Sequence, residues 1–126
     1  MSFNWSEYFT LAQELTSKSA TSSMQEAMQR SAISRAYYAA FCEARNQLIY
    51  KDAEAVPNGV NVHAYVGKKY EKSGDITRRK IGRLLRHLRS MRNEADYQDT
   101  FYGKLPGKTR AVLLEAEEVL RLLNTL

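Results

Sequence analysis

A chain of 126 residues with 44% hydrophobic side chains can bury one core and is too short for two ordinary domains, so one domain over residues 1–126 is expected. Six glycines and two prolines argue against a many-stranded β architecture, and the one cysteine, Cys42, can neither close an internal disulfide nor hold a metal alone; no metal site and no cofactor is expected. The net charge of +5 is uneven: between Asp75 and Arg92 stand seven basic side chains (Arg78, Arg79, Lys80, Arg83, Arg86, Arg89, Arg92) and one acid, so this segment carries +6 and the rest of the chain sums to −1.

The opening MSFNWSEYF has neither a basic nor an apolar leader segment, and no apolar run approaches the roughly 20 residues that cross a bilayer. A cytoplasmic protein without membrane contact is expected. The first helix is predicted over residues 4–18, with Trp5, Tyr8, Ala12 and Leu15 as its apolar stripe and Asn4 with Glu7 as a capping box. Ser19 to Ser22 reads as a polar linker. A long second helix over 23–50 follows, opened by a second box, Ser23 with Glu26. Ala27, Ile33 or Arg30, Tyr37, Phe41, Ala44 and Leu48 continue its 3.6-residue period, and Ala36, Ala39, Ala40 and Ala44 allow another helix close; this helix should be central. Pro57-Asn58-Gly59 is a turn.

A short third helix is predicted over 62–72 on a stripe of Val62, Tyr65, Val66 and Lys69 or Tyr70, with Gly74 suited to a left-handed cap after it. The fourth helix should run over 75–97, with Asp75 as N-cap and Ile81, Leu84, Leu85, Leu88, Met91 and Ala95 facing the core. After a loop over 98–106, a fifth amphipathic helix over 107–124 turns Val112, Ala116, Val119 and Leu123 inward and offers Glu115, Glu117 and Glu118 to the basic fourth helix. The expected fold class is all-α, an up-and-down bundle of about five helices.

Two runs carry chemistry. In Arg89-Ser-Met-Arg92-Asn93-Glu94-Ala95-Asp96-Tyr97, the spacing of Arg89, Arg92 and Asp96 puts them on one helix face, with Asn93 and Tyr97 on the adjacent stripe. A guanidinium there can clamp a phosphate through two parallel hydrogen bonds, and Tyr97 can stack on a base or donate a hydrogen bond. The same spacing also fits a plain Arg92–Asp96 ion pair worth a few tenths of a kcal/mol. In Ser31-Ala-Ile-Ser34-Arg35-Ala36-Tyr37-Tyr38-Ala39-Ala40-Phe41, Ser34 and Tyr38 stand four apart and can face one site, or be satisfied locally. Arg83, Arg86 and Arg89 are candidates for holding a polyanion, because a basic stripe fits one; a solvated face paired with acids is the alternative. His63 opens the third helix, and His87 points away from Arg92; a lone histidine is more often structural. No metal-ligand spacing, Gly-rich phosphate loop or nucleophile elbow occurs.

Together, the run SRAYYAAF over 34–41 and the run Arg89-x-x-Arg92-Asn93-x-Ala95-Asp96-Tyr97 resemble the HEPN superfamily, nearest its small stand-alone UPF0332-type branch, over nearly the whole chain. That resemblance implies a helical bundle that dimerises. In active members an arginine followed a few residues later by a histidine forms a metal-independent ribonuclease site at the dimer cleft, where the RNA 2′-hydroxyl attacks the adjacent phosphate. Arg92 matches the arginine and would stabilise the phosphorane, and Asn93 matches the polar residue after it. Five residues after Arg92 stands Tyr97, with no histidine downstream. A phenol titrating near 10 is a poor base beside an imidazole titrating near 6.5. Toxin members are often encoded beside a minimal nucleotidyltransferase antitoxin, and in some a tyrosine near the motif accepts AMP, a role Tyr97 would fill. The resemblance therefore implies a homodimer, with RNA and a nucleotidyltransferase as partners. Three readings follow: a module binding RNA or nucleotide without catalysis, a toxin endoribonuclease with Arg92 as phosphate clamp, and a structural dimer.

Overall fold

A computed structural model describes residues 3–17 and 22–126, with the side chains of Ser22 and Ser23 left out. Among these residues all regular structure is helical: α1 (Glu7–Ser17), α2 (Ser22–Asn46), α3 (Val62–Glu71), α4 (Ile76–Tyr97) and α5 (Leu105–Leu123). The α2 helix is central and packs against α1, α4 and α5, while α3 lies mainly on α4. Small side chains explain its position. Ala32, Ala36, Ala39, Ala40 and Ala44 are all fully buried, so three helices approach the α2 backbone closely, with Ile33, Tyr37, Phe41 and Leu48 filling the space between. Val66 and Tyr70 of α3, Ile81, Leu85 and Leu88 of α4, and Val112, Ala116 and Val119 of α5 complete the core.

The caps correct several details. Asn4 does accept hydrogen bonds at the start of the chain, but from the backbone N–H and hydroxyl of Ser6 (3.2 and 2.6 Å) rather than in a reciprocal box with Glu7. The expected linker over Ser19–Ser22 falls on undescribed residues except Ser22, which already belongs to α2, and the second box rests on the Ser23 side chain, which is left out; Glu26 pairs with Arg30 one turn on, at 3.1 Å. Asp75 is the N-cap of α4, its Oδ2 accepting from the Arg78 N–H at 2.9 Å. Gly74 is not left-handed: α3 ends on a right-handed Lys72, and the left-handed glycines are Gly59 and Gly103; the chain turns from Gly59 rather than at Pro57-Asn58, with the Val62 N–H donating to the Gly59 carbonyl at 3.2 Å. The α5 helix begins two residues early because Pro106 sits in its first turn, where a missing N–H costs nothing.

Two features have no counterpart in the periodicity. The α2 helix does not run on to Tyr50 as an α-helix but widens into a π turn, Gln47–Lys51. Just before it, the buried Tyr70 hydroxyl donates to the Ala44 carbonyl at 2.7 Å, tying α3 to the end of α2. The second feature is Gly82: a Cβ there would lie 2.5 Å from the Glu71 backbone nitrogen, so α3 and α4 touch backbone to backbone at this point. No described helix is long and apolar enough to cross a membrane.

Candidate functional site

The basic stripe divides into neutralised and free parts. Arg78 forms a two-point ion pair with Asp52 (2.6 and 3.0 Å), which holds the Asp52 carboxyl below the ordinary carboxylate range. Lys80 reaches Glu118 of α5 at 3.4 Å and Arg86 reaches Glu71 of α3 at 3.3 Å. His87 faces α5, with Nδ1 2.6 Å from Glu115. So Glu115 and Glu118 do face α4, as their positions suggested, while Glu117 makes no ion pair among the described residues. Arg83 and Arg89 have no carboxylate within ion-pair distance among the described residues. Arg83 is exposed and Arg89 half-buried.

Arg92 stands one turn beyond Arg89, and its side chain is only 12% exposed. The guanidinium is held from two helices. One terminal nitrogen donates to the Tyr38 hydroxyl of α2, and the other donates to Asn93 Oδ1 at 2.8 Å. Nε lies 3.3 Å from Asp96 Oδ2 but makes no hydrogen bond, so this pair holds by charge and not by an aligned N–H. Asp96 is fixed in turn by the Ser34 hydroxyl, which donates to Oδ2 at 3.1 Å. The Tyr38 and Tyr97 rings flank the guanidinium at 5.0 and 5.8 Å. Burial acts to lower the Arg92 pKa, but the Tyr38 hydrogen bond and the nearby Tyr97 and Asp96 outweigh it, so the charge is held more firmly than on a free arginine. Ser34, Tyr38, Arg92, Asn93, Asp96 and Tyr97 thus form one cluster where α2 crosses the end of α4. An arginine has five donor N–H groups, and these contacts leave one on each terminal nitrogen uncommitted.

Sequence reasoning missed two members of this neighbourhood. His63 opens α3 and comes to rest on the Phe41 ring (centroids 4.1 Å), with Nδ1 2.6 Å from the Tyr37 hydroxyl. It also meets the edge of Tyr38 at 5.9 Å. Burial, then the charges of Arg92, Arg89 and Arg45, lower the His63 pKa, so the ring is neutral at pH 7. Burial raises the Tyr37 pKa, which keeps its hydroxyl protonated. The signal was there: His63 is three residues before Val66 and seven before Tyr70, which places it on the buried face of α3. The second is Arg30 of α2, whose guanidinium caps the end of α4, donating to the carbonyls of Ala95, Gln98 and Asp99 at 3.1, 2.6 and 3.3 Å. No spacing within the sequence relates Arg30 to residues some 65 positions away.

Beside the cluster, α3 and α4 enclose a cleft of about 210 Å³. Tyr37, Phe41 and Leu85 line it, with His63 where α3 begins, Arg89 of α4, and Lys68, Glu71 and its partner Arg86 toward the end of α3. No group of three His, Cys, Asp or Glu side chains among the described residues is placed to hold a metal ion. A family model described as the HEPN domain matches residues 12–126. Comparison with curated proteins and with solved structures returns no match.

Proposed function

The chain belongs to the HEPN domain family, and from that premise we propose that it binds RNA, with Arg92 as the phosphate seat and Arg89 and Arg83 extending it along α4. The observation that carries the reading is the state of these three arginines. Arg92 is fixed in one geometry by Tyr38, Asn93 and Asp96, and its neighbours Arg89 and Arg83 have no carboxylate partner among the described residues. A preorganised guanidinium with free neighbouring cations suits phosphate oxygens, which accept charge-assisted hydrogen bonds in pairs. Arg86, committed to Glu71, contributes less unless that pair opens.

Fluorescence anisotropy with a labelled RNA over a salt series tests this. Each phosphate contact releases counterions, so removing one by Arg89→Ala or Arg92→Ala should lower the slope of log K against log salt by roughly 0.7–0.9. Unchanged slopes in the double variant, or no salt-dependent binding at all, would refute it.

In the same reading the protein is a homodimer of the small stand-alone branch, partnered by a minimal nucleotidyltransferase, with the Tyr97 hydroxyl oxygen accepting AMP from ATP as the α–β phosphoanhydride bond breaks and pyrophosphate leaves. Tyr97 supports this by its position: its side chain is 71% exposed, beside the Arg92 charge that would meet an incoming phosphate. Mass spectrometry of the protein after incubation with such a partner and ATP should find the added mass on Tyr97 and none in Tyr97→Phe. Light scattering that gives only a monomer at micromolar concentration would remove the dimer.

A second reading, a metal-independent ribonuclease, is favoured by His63. It puts a neutral imidazole within the field of Arg92 although the motif position carries Tyr97. RNA cleavage in EDTA that vanishes in both Arg92→Ala and His63→Gln would establish it. Absence of cleavage alongside salt-sensitive binding leaves the binding module.

A further inference from the structure

The cleft between α3 and α4 has features the fold does not require. Gly67 lies in the middle of α3, where glycine weakens a helix. A Cβ there would meet nothing within 4 Å, so no packing neighbour demands the glycine. Gly82, which lets the same two helices touch, is the opposite case. Gly67 lines the cleft, and its missing side chain is open space inside it.

The lining is graded along its length. Phe41 and Leu85 give it apolar surface, and the Tyr37 and Phe41 rings stack on each other and on the His63 ring toward the Arg89 end. One end carries Arg89, whose charge, like that of Arg92, reaches Tyr37 and His63. The other end carries the Glu71 carboxylate, an acceptor for N–H donors, balanced by Arg86 at 3.3 Å. Drug-sized ligands fill pockets of about 300–1,000 Å³, so a cleft of about 210 Å³ suits a single ring system rather than a whole nucleotide.

We propose that this cleft holds one unstacked nucleobase of a single-stranded RNA, with the adjoining phosphate on Arg89 and Arg92 and with Gly67 kept small to admit the ring. The inference rests on the RNA-binding reading and narrows its substrate to strands whose bases are free. Bases in a duplex face each other inside the stack, and the A-form major groove is too narrow for side chains to reach them. Aromatic surface with a flanking cation is the usual means of gripping a splayed base.

The test fills the cleft. Gly67→Leu puts a side chain into open space and replaces glycine by a strong helix former, so its melting temperature should equal or exceed that of the unchanged protein. Binding is then measured at one fixed salt concentration with three labelled probes of equal length: a single-stranded RNA, the same ribose-phosphate backbone without bases, and a duplex RNA. The unchanged protein should bind the single strand at least tenfold more tightly than the abasic strand or the duplex. Gly67→Leu should bring the single strand down to the abasic level and leave abasic binding unaltered, with Gly67→Ala between the two. Equal affinity of the unchanged protein for single-stranded and abasic probes overturns the base site while sparing the phosphate seat. So does full single-strand binding by a folded Gly67→Leu, or by Gly67→Ala and Gly67→Leu alike. Failure of the unchanged protein to bind any of the three probes overturns the RNA reading itself.

Discussion

Replacing Arg30 by methionine takes a cation from the end of α4 while keeping the apolar stem that packs against it. The α4 helix carries most of the chain's arginines, yet its last turn holds none; Glu94 and Asp96 stand there instead, near the negative end of the helix dipole. Arg30 supplies the missing charge from α2. Its bond to the Ala95 carbonyl is partly buried and those to Gln98 and Asp99 are exposed, so water can replace the latter two. Counting about 1.5 kcal/mol for the buried charge-assisted bond and about 1 kcal/mol for the rest with the dipole, the loss should be about 2–3 kcal/mol. At about 4 °C per kcal/mol for a domain of this size, the melting temperature should fall by about 10 °C. Urea unfolding gives the free energy, and hydrogen exchange should show the last turn of α4 opening more often than its middle. A methionine variant within about 0.5 kcal/mol of the unchanged protein, with the last turn equally protected, would mean that water caps the helix as well as Arg30 does.

Three other perturbations follow from particular contacts. Gly82→Ala drives a methyl into the Glu71 backbone, and an overpacking penalty of about 1–3 kcal/mol should outweigh a helix-propensity gain of up to about 1 kcal/mol, read as a lower urea midpoint. His63 has a lowered pKa in the fold, so between that value and about 6.5 the unfolded chain binds more protons; stability should fall as pH drops below about 6.5, and His63→Gln should flatten the slope in thermal melts over pH 5–8. Asp52 is depressed chiefly by its hydrogen bonds from Arg78, so its contribution is present above about pH 3.9 and disappears as pH falls further; Asp52→Asn should cost about 1 kcal/mol at pH 7 and less in acid.

Periodicity located the helices because one face of each is apolar and their ends carry local signals. Asp75 works within a few residues and caps as its residue type suggests, while the turn read at Pro57-Asn58-Gly59 begins only at Gly59. The cluster around Arg92 was half visible: Ser34 and Tyr38 share one helical face, Arg92 and Asp96 another, and only the crossing of α2 over α4 joins the two. His63 was harder, since its meaning depends on which rings of α2 face α3, which no spacing inside α3 contains. The basic stripe looked uniform from charge alone. Acids from three other segments, Asp52, Glu71 and Glu118, pair with part of it and leave Arg79, Arg83 and Arg89 without a carboxylate among the described residues, Arg79 donating instead to the Ser73 carbonyl. The π turn at Gln47–Lys51 gave no sign in composition, because the same side chains suit either helix.

The packing of α5 against α2 also bears on how the chain is made. Ribosomes deliver residues at roughly 5–20 per second, and α2 emerges well before the segment that covers it. Until α5 has been synthesised, the side of α2 that should meet Val112, Ala116 and Val119 stays open to solvent. A nascent chain halted before Leu105 would therefore expose a smooth alanine-rich ridge. Such a product would be handed to chaperones or proteases rather than released, so the arginine-bearing face of α4 and the completed core would come into being together.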